Sequence, residues 1–136
     1  MNSVYLTYSG YNCEAVLQVM ETLLRNGYAL MCECMLPYGA DPETQAHRFI
    51  CEADTVVAVI TADAAECPYM VRDLAWAREA DRRLLAVVVE NSPLPMEVPH
   101  VIQVSEYPTS LEIASVIEAV KDSFGKECPY ACDSNL

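Results

Sequence analysis

The sequence predicts an α/β fold in which a parallel sheet of five strands lies between two layers of helices. Two unbroken apolar runs, Thr55–Thr61 and Leu84–Val89, have the composition of central strands buried on both faces. Strand-like and helix-like segments alternate along the rest of the chain. Right-handed crossovers then distribute the helices over both sides of a single sheet.

The first element, Val4–Tyr8, is a short β-rich run broken by Ser9-Gly10-Tyr11-Asn12. Val16, Val19, Met20, Leu23 and Leu24 recur at helical spacing, and Asn26-Gly27 supplies the left-handed residues that stop that helix. A second strand is expected over Tyr28–Cys34, followed by the loop Met35-Leu36-Pro37-Tyr38-Gly39-Ala40. Asp41 then serves as N-cap and Pro42 as first residue of a helix running to about Glu52 and burying Ala46, Phe49 and Ile50. A further helix, about Pro68 to Asp81, lies between the two apolar strands. Pro93, Pro95 and Pro99 make the connection Asn91–His100 a loop rather than a helix, leading to a weaker strand at Val101–Val104. The last helix aligns Ile113, Val116, Ile117, Val120 and Phe124 on one face, and beyond residue 125 the periodicity is lost, so 126–136 is expected to be a frayed tail.

At 136 residues, with 21% charged, the chain is sized for one globular domain. Its net charge of -12 repels phosphate backbones and anionic headgroups, so neither nucleic acid nor a membrane surface is expected as a partner. A small anion is still compatible, since backbone amides and helix N-termini bind phosphates inside acidic proteins. No apolar run approaches the roughly 20 residues that span a bilayer. The seven cysteines are odd in number, and the chain does not open with a basic start, an apolar stretch and a small-residue cleavage site. A reducing cytoplasm is expected, with Cys32, Cys51 and Cys67 in or beside apolar elements as small hydrophobes. Zinc needs two close ligand doublets, which Cys32/Cys34 and Cys128/Cys132 do not supply with His47 and His100 remote from both, so no metal is expected.

Within Cys67-Pro68-Tyr69-Met70-Val71-Arg72-Asp73-Leu74, Asp73 stands in the first turns of a helix that follows a buried strand. In an open α/β sheet ligands bind outside the carboxyl ends of the strands, so this carboxylate is the first candidate for chemistry. The bland alternative is a solvated helix face shared with Arg72 and Arg78. Trp76 reads as core packing, Glu66 and Glu79 as solvated, and Cys67 lacks any identifiable base to make it a nucleophile.

Several short motifs occur in a particular order: Val4-Tyr5-Leu6-Thr7-Tyr8-Ser9 as the first strand, Asn26-Gly27-Tyr28 before the second, and the loop Leu36-Pro37-Tyr38-Gly39-Ala40-Asp41 after it. Ala53-Asp54-Thr55 leads into the third strand, and Cys67, Tyr69, Asp73 and Leu74 then stand at fixed spacing. Over residues 3–124 this order resembles the Toll/interleukin-1 receptor (TIR) domain of the stand-alone bacterial type, with a flavodoxin-like three-layer fold. Cys67, Tyr69 and Asp73 occupy the places of the family's serine, tryptophan and catalytic glutamate.

The resemblance implies an NAD nucleosidase that cleaves the nicotinamide N-glycosidic bond, giving ADP-ribose or a cyclic or transferred form of it, with NAD as substrate and no further cofactor. It also implies self-association through the BB loop, here Leu36, Pro37, Tyr38 and Gly39, and a bacterial antiphage role in which a separate effector senses the product. Loss of neutral nicotinamide leaves a ribosyl cation, which a fixed carboxylate such as Asp73 can stabilise, and the leaving group needs no general acid. Tyr8 and Tyr38 are candidates for the nicotinamide wall, Ser9 and Gly10 for diphosphate donors, and Tyr69 for ligand contact or packing. Two alternatives stay open: a catalytically inactive TIR interaction module, and a nucleoside deoxyribosyltransferase-like enzyme, for which no nucleobase-reading motif is evident. A single domain favours an enzyme with a diffusible product over a lone adaptor.

Overall fold

The computed structural model describes residues 3–9, 13–32 and 41–125. The strands are β1 (Ser3–Tyr8), β2 (Ala29–Met31), β3 (Thr55–Ile60), β4 (Arg83–Val89) and β5 (His100–Val104), and the helices are α1 (Glu14–Arg25), α2 (Pro42–Glu52), α3 (Pro68–Glu79) and α4 (Ser110–Gly125). All strand pairings are parallel, in the order β2-β1-β3-β4-β5. The expected five-stranded α/β sheet is present.

Side-chain alternation divides the core into two layers. Val4, Leu6, Val57, Val59, Leu85 and Val87 face α1 and α4, where they meet Val16, Val19, Leu23, Val116 and Val120. Tyr5, Val56, Ala58, Ile60 and Ala86 face α2 and α3, where they meet Ala46, Ile50, Met70, Leu74 and Ala77. All of β3 is buried, which explains why its sequence is continuously apolar instead of alternating. Between β4 and β5 no helix forms: Val98 is buried and Met96 packs against the α2/α3 layer, so a loop supplies the cover a helix normally gives.

β2, expected to run to Cys34, ends at Met31, with Cys32 already past the strand. Two other element ends that differ from the sequence reading are set by helix caps. α1 closes with Gly27 at φ 86°, its N–H bonded to the Leu24 carbonyl (3.0 Å) and that of Tyr28 to Leu23 (3.2 Å). This Schellman closure holds Tyr28 in the cap, and β2 starts one residue later than expected, at Ala29. The same closure recurs at α3, where Asp81 takes φ 58° and the Arg82 N–H reaches the Ala77 carbonyl at 2.9 Å. α3 therefore ends at Glu79 rather than Asp81. Phe49 is only half-buried, and Cys51 is exposed on α2 instead of lying in apolar surroundings, because its side of the helix points away from the sheet. Cys32 is buried as expected. Residues 33–40, including Cys34, and the tail 126–136 lie outside the described residues.

Leu6 is 1% exposed in the α1/α4 layer. Leu6→Ala is expected to lower unfolding free energy by about 2–5 kcal/mol in urea titrations. At Gly27 an added Cβ would meet nothing within 4 Å, so Gly27→Ala should cost about 1 kcal/mol through its backbone conformation alone.

Candidate functional site

In this strand order the chain reverses direction between β1 and β3, which makes the carboxyl ends of those neighbours the natural ligand crevice of the fold. After Ile60 the chain turns through Thr61 and Asp63, makes a single 3-10 turn at Ala64–Glu66 and enters α3 with Pro68 at its first position. Proline suits that position because its missing N–H would lack a helical partner there in any case.

α3 turns Met70, Asp73, Leu74 and Ala77 toward the sheet. Asp73 is 2% exposed, so it belongs to the buried face of the helix and not to a solvated one. Its Oδ2 accepts hydrogen bonds from Thr7 Oγ1 at 2.8 Å and from the Tyr5 hydroxyl at 3.4 Å, both on β1. Its Oδ1 accepts from Arg72 Nη2 at 2.9 Å and Nε at 3.2 Å. Burying a carboxylate is affordable only when charge and hydrogen bonds are supplied this way. The Arg72 guanidinium also lies over two rings, 5.3 Å from the Tyr69 ring centre and 4.7 Å from that of Trp76, and the Trp76 ring centre lies 4.6 Å from that of His47 on α2. Trp76 thus packs between helices, in line with its sequence reading.

A second polar group spans the crevice itself. Ser9, just past β1, and Thr61, just past β3, stand 2.7 Å apart, and both hydroxyls donate to Asp63 Oδ1, at 2.8 and 2.6 Å. The bonds from Thr61 and then Ser9 hold the Asp63 carboxyl below the ordinary carboxylate range.

The fold brings Asp73 under β1 and Ser9 to the crevice, but it does not bring Tyr8 to Asp73. Tyr8 packs on the α1/α4 layer, with the sheet between it and the carboxylate. Tyr69 is 57% exposed and reaches Asp73 only through Arg72. Gly10, Leu36, Pro37, Tyr38 and Gly39 lie outside the described residues. The sequence reading assigns no site role to Thr7, Tyr5, Thr61 or Asp63. The signal for Thr7 was its polar side chain in register with Tyr5 on a strand otherwise apolar, and the signal for Asp63 was its place in the turn after a central strand. Among the described residues no group of His, Cys, Asp and Glu could hold a metal, and no helix is long and apolar enough to cross a membrane.

Fold and crevice together define a doubly wound α/β domain with the strand order of flavodoxin-like folds. The chain is similar to the TIR domains in a structure of the activated Roq1 resistosome directly recognizing the pathogen effector XopQ, with a TM-score of 0.62 and 15% identity, covering 93% of this chain and 76% of that one. It is also similar to the flavodoxin-like domain of a Synechococcus sp. protein, with a TM-score of 0.54 and 14% identity, covering 88% and 94%. No family model matches the chain, and no curated protein matches it in sequence. At these identities the likeness is one of fold.

Two outcomes test this geometry. Asp73→Ala leaves Arg72 without its buried counter-charge and should cost about 3 kcal/mol, whereas Thr7→Val removes a single donor and should cost about 1–2 kcal/mol, both read from urea unfolding. For Asp63, the folded value is lowered, so its contribution to stability is complete above the ordinary carboxylate range and disappears as pH falls through the lowered value. Carboxyl carbon NMR titration should show Asp63 moving back up in Thr61→Ala, and less so in Ser9→Ala.

Proposed function

We propose that this chain is a TIR-type NAD nucleosidase that uses Asp73 as the carboxylate stabilising the ribosyl cation left by nicotinamide. The reading is carried by one observation: an α3 carboxylate held against β1, at the strand pair where this fold binds ligands. The likeness to TIR domains supports it, as does the place of Asp73 in the sequence motif.

Both Asp73 oxygens are engaged in the resting arrangement, so catalysis requires that one be released. Arg72 provides the means, since it holds Oδ1 and can be drawn away by an anionic ligand. A dinucleotide whose diphosphate takes the guanidinium would bare Oδ1 toward the ribose at the moment the substrate is seated. The low-dielectric surroundings that make the buried charge costly also strengthen its pull on a developing cation. Ser9, Thr61 and Asp63 line the neighbouring edge and suit the hydroxyl-rich part of the ligand. The TIR domains of the activated Roq1 structure belong to an assembly, and self-association through the BB loop, residues 36–39, is part of the proposal for this chain. A bacterial cytoplasmic setting, an antiphage role and a separate effector that senses the product complete it.

A second reading is favoured by the completeness of the Asp73 pairing: an inactive TIR interaction module in which the carboxylate only ties α3 to β1. One experiment separates the two. Purified protein at high concentration, with a crowding agent, is incubated with NAD beside Asp73→Asn and Arg72→Ala, and nicotinamide is quantified by mass spectrometry. Wild type should release nicotinamide, Asp73→Asn should be slower by about 100-fold or more, and Arg72→Ala should raise KM more than it lowers kcat. Equal, negligible release by wild type and Asp73→Asn would leave the interaction module.

A further inference from the structure

At the amino ends of β3, β4 and β5, on the edge of the sheet opposite the crevice, the molecule holds a cavity of about 300 Å³. Arg83 and Leu85 of β4, His100 and Ile102 of β5, and Ala119 and Asp122 of α4 line it. The register explains the grouping. Leu85 pairs with His100, and Arg83 and Leu85 share the α1/α4 side of β4, as His100 and Ile102 share that side of β5. The cavity therefore lies between the sheet and the C-terminal half of α4.

Its charge is unusual for this protein. The chain has eight lysines and arginines against 20 acidic residues, yet Arg82, Arg83 and His100 meet here. Arg82 is committed to the backbone, donating to the Ala80 and Ala53 carbonyls at 3.1 and 3.2 Å. Arg83 is different. The residue is half-buried, and its guanidinium makes no hydrogen bond or ion pair to any described residue. A partly desolvated guanidinium beside an apolar wall is costly unless an anion or water meets it, and its planar fork fits carboxylate and phosphate oxygens.

We infer that this cavity is a binding site for a small organic anion, a carboxylate or phosphate monoester with a single-ring or short branched apolar body. The anionic head lies against Arg83 and His100 on the strand side. The body lies against Leu85, Ile102 and Ala119. Asp122 on the helix wall repels a second negative group and so fixes the orientation, head toward the sheet. The volume is at the small end of ligand pockets, which sets the size of the body. The site is separate from Asp73 and independent of the proposed nucleosidase activity.

The test uses the full-length protein labelled with nitrogen-15, titrated with benzoate, phenyl phosphate, inorganic phosphate and benzamidine. Benzoate or phenyl phosphate should give saturable amide shifts confined to residues 82–85, 99–102 and 119–122. Arg83→Ala should weaken that binding by at least about tenfold, as expected for a charged hydrogen bond. Ala119→Leu, which fills the cavity and keeps Arg83, should weaken it as well. The proposal is overturned if neither anion gives saturable shifts there at millimolar concentration, if benzamidine binds as tightly, or if both variants bind like wild type. Inorganic phosphate binding as tightly as phenyl phosphate would overturn the apolar-body assignment.

Discussion

A carboxylate inside an apolar layer has to be matched where it lies, and Asp73 imposes that condition on everything around it. Its charge calls for a cation within reach, so Arg72 folds back along α3 instead of extending into solvent. Its remaining lone pairs call for donors, which β1 supplies from Thr7 and Tyr5. These bonds are directional, unlike the hydrophobic contacts of Met70 and Leu74 beside them, and so they fix the position of α3 along the strand. The guanidinium then contacts the rings of Tyr69 and Trp76, and Trp76 carries the contact on to α2 through His47. One charge thus couples a strand and two helices.

The strand order gives that coupling a functional setting. Because β1 is flanked by β2 on one side and β3 on the other, the strand order reverses there, and the carboxyl ends of β1 and β3 border the crevice. Ser9, Thr61 and Asp63 form a hydroxyl-lined rim there. Asp73 is buried on the same side of the sheet, bonded to Thr7 two residues before Ser9. At rest its burial and pairing make Asp73 a structural tie between α3 and β1.

Much of the fold was legible because it rests on periodicities that survive in a single sequence. The continuous apolar runs at β3 and β4 reflect burial on both faces, and the three prolines after β4 stop any helix from forming there. The start of β2 and the end of α3 were less legible, because each depends on a cap whose hydrogen bonds connect residues five apart around one left-handed residue. Gly27 announces such a cap; Asp81 does not, since aspartate adopts that conformation only in context. The site was half legible. Helix numbering puts Asp73 on the same stripe as Met70, Leu74 and Ala77, which signals burial, but its polar character pointed the reading toward solvent or chemistry instead. Nothing local reveals that Thr7, 66 positions away in sequence, is its hydrogen-bond partner. Such pairing is a property of the tertiary arrangement.

The connection from β4 to β5 has a further consequence. Parallel neighbours are usually joined through a helix that shields both, but here the loop residues Val98 and Met96 pack on the α2/α3 side of this flank, and β5 is exposed along much of its length. An edge protected so thinly breathes more readily than the strands at the centre, and amide hydrogens along β5 should exchange through small local openings while those of β3 wait for the whole molecule to open. The sheet is therefore stiff at its centre and compliant along β5, and a partner strand or surface laid on that edge would add order to it without disturbing the rest.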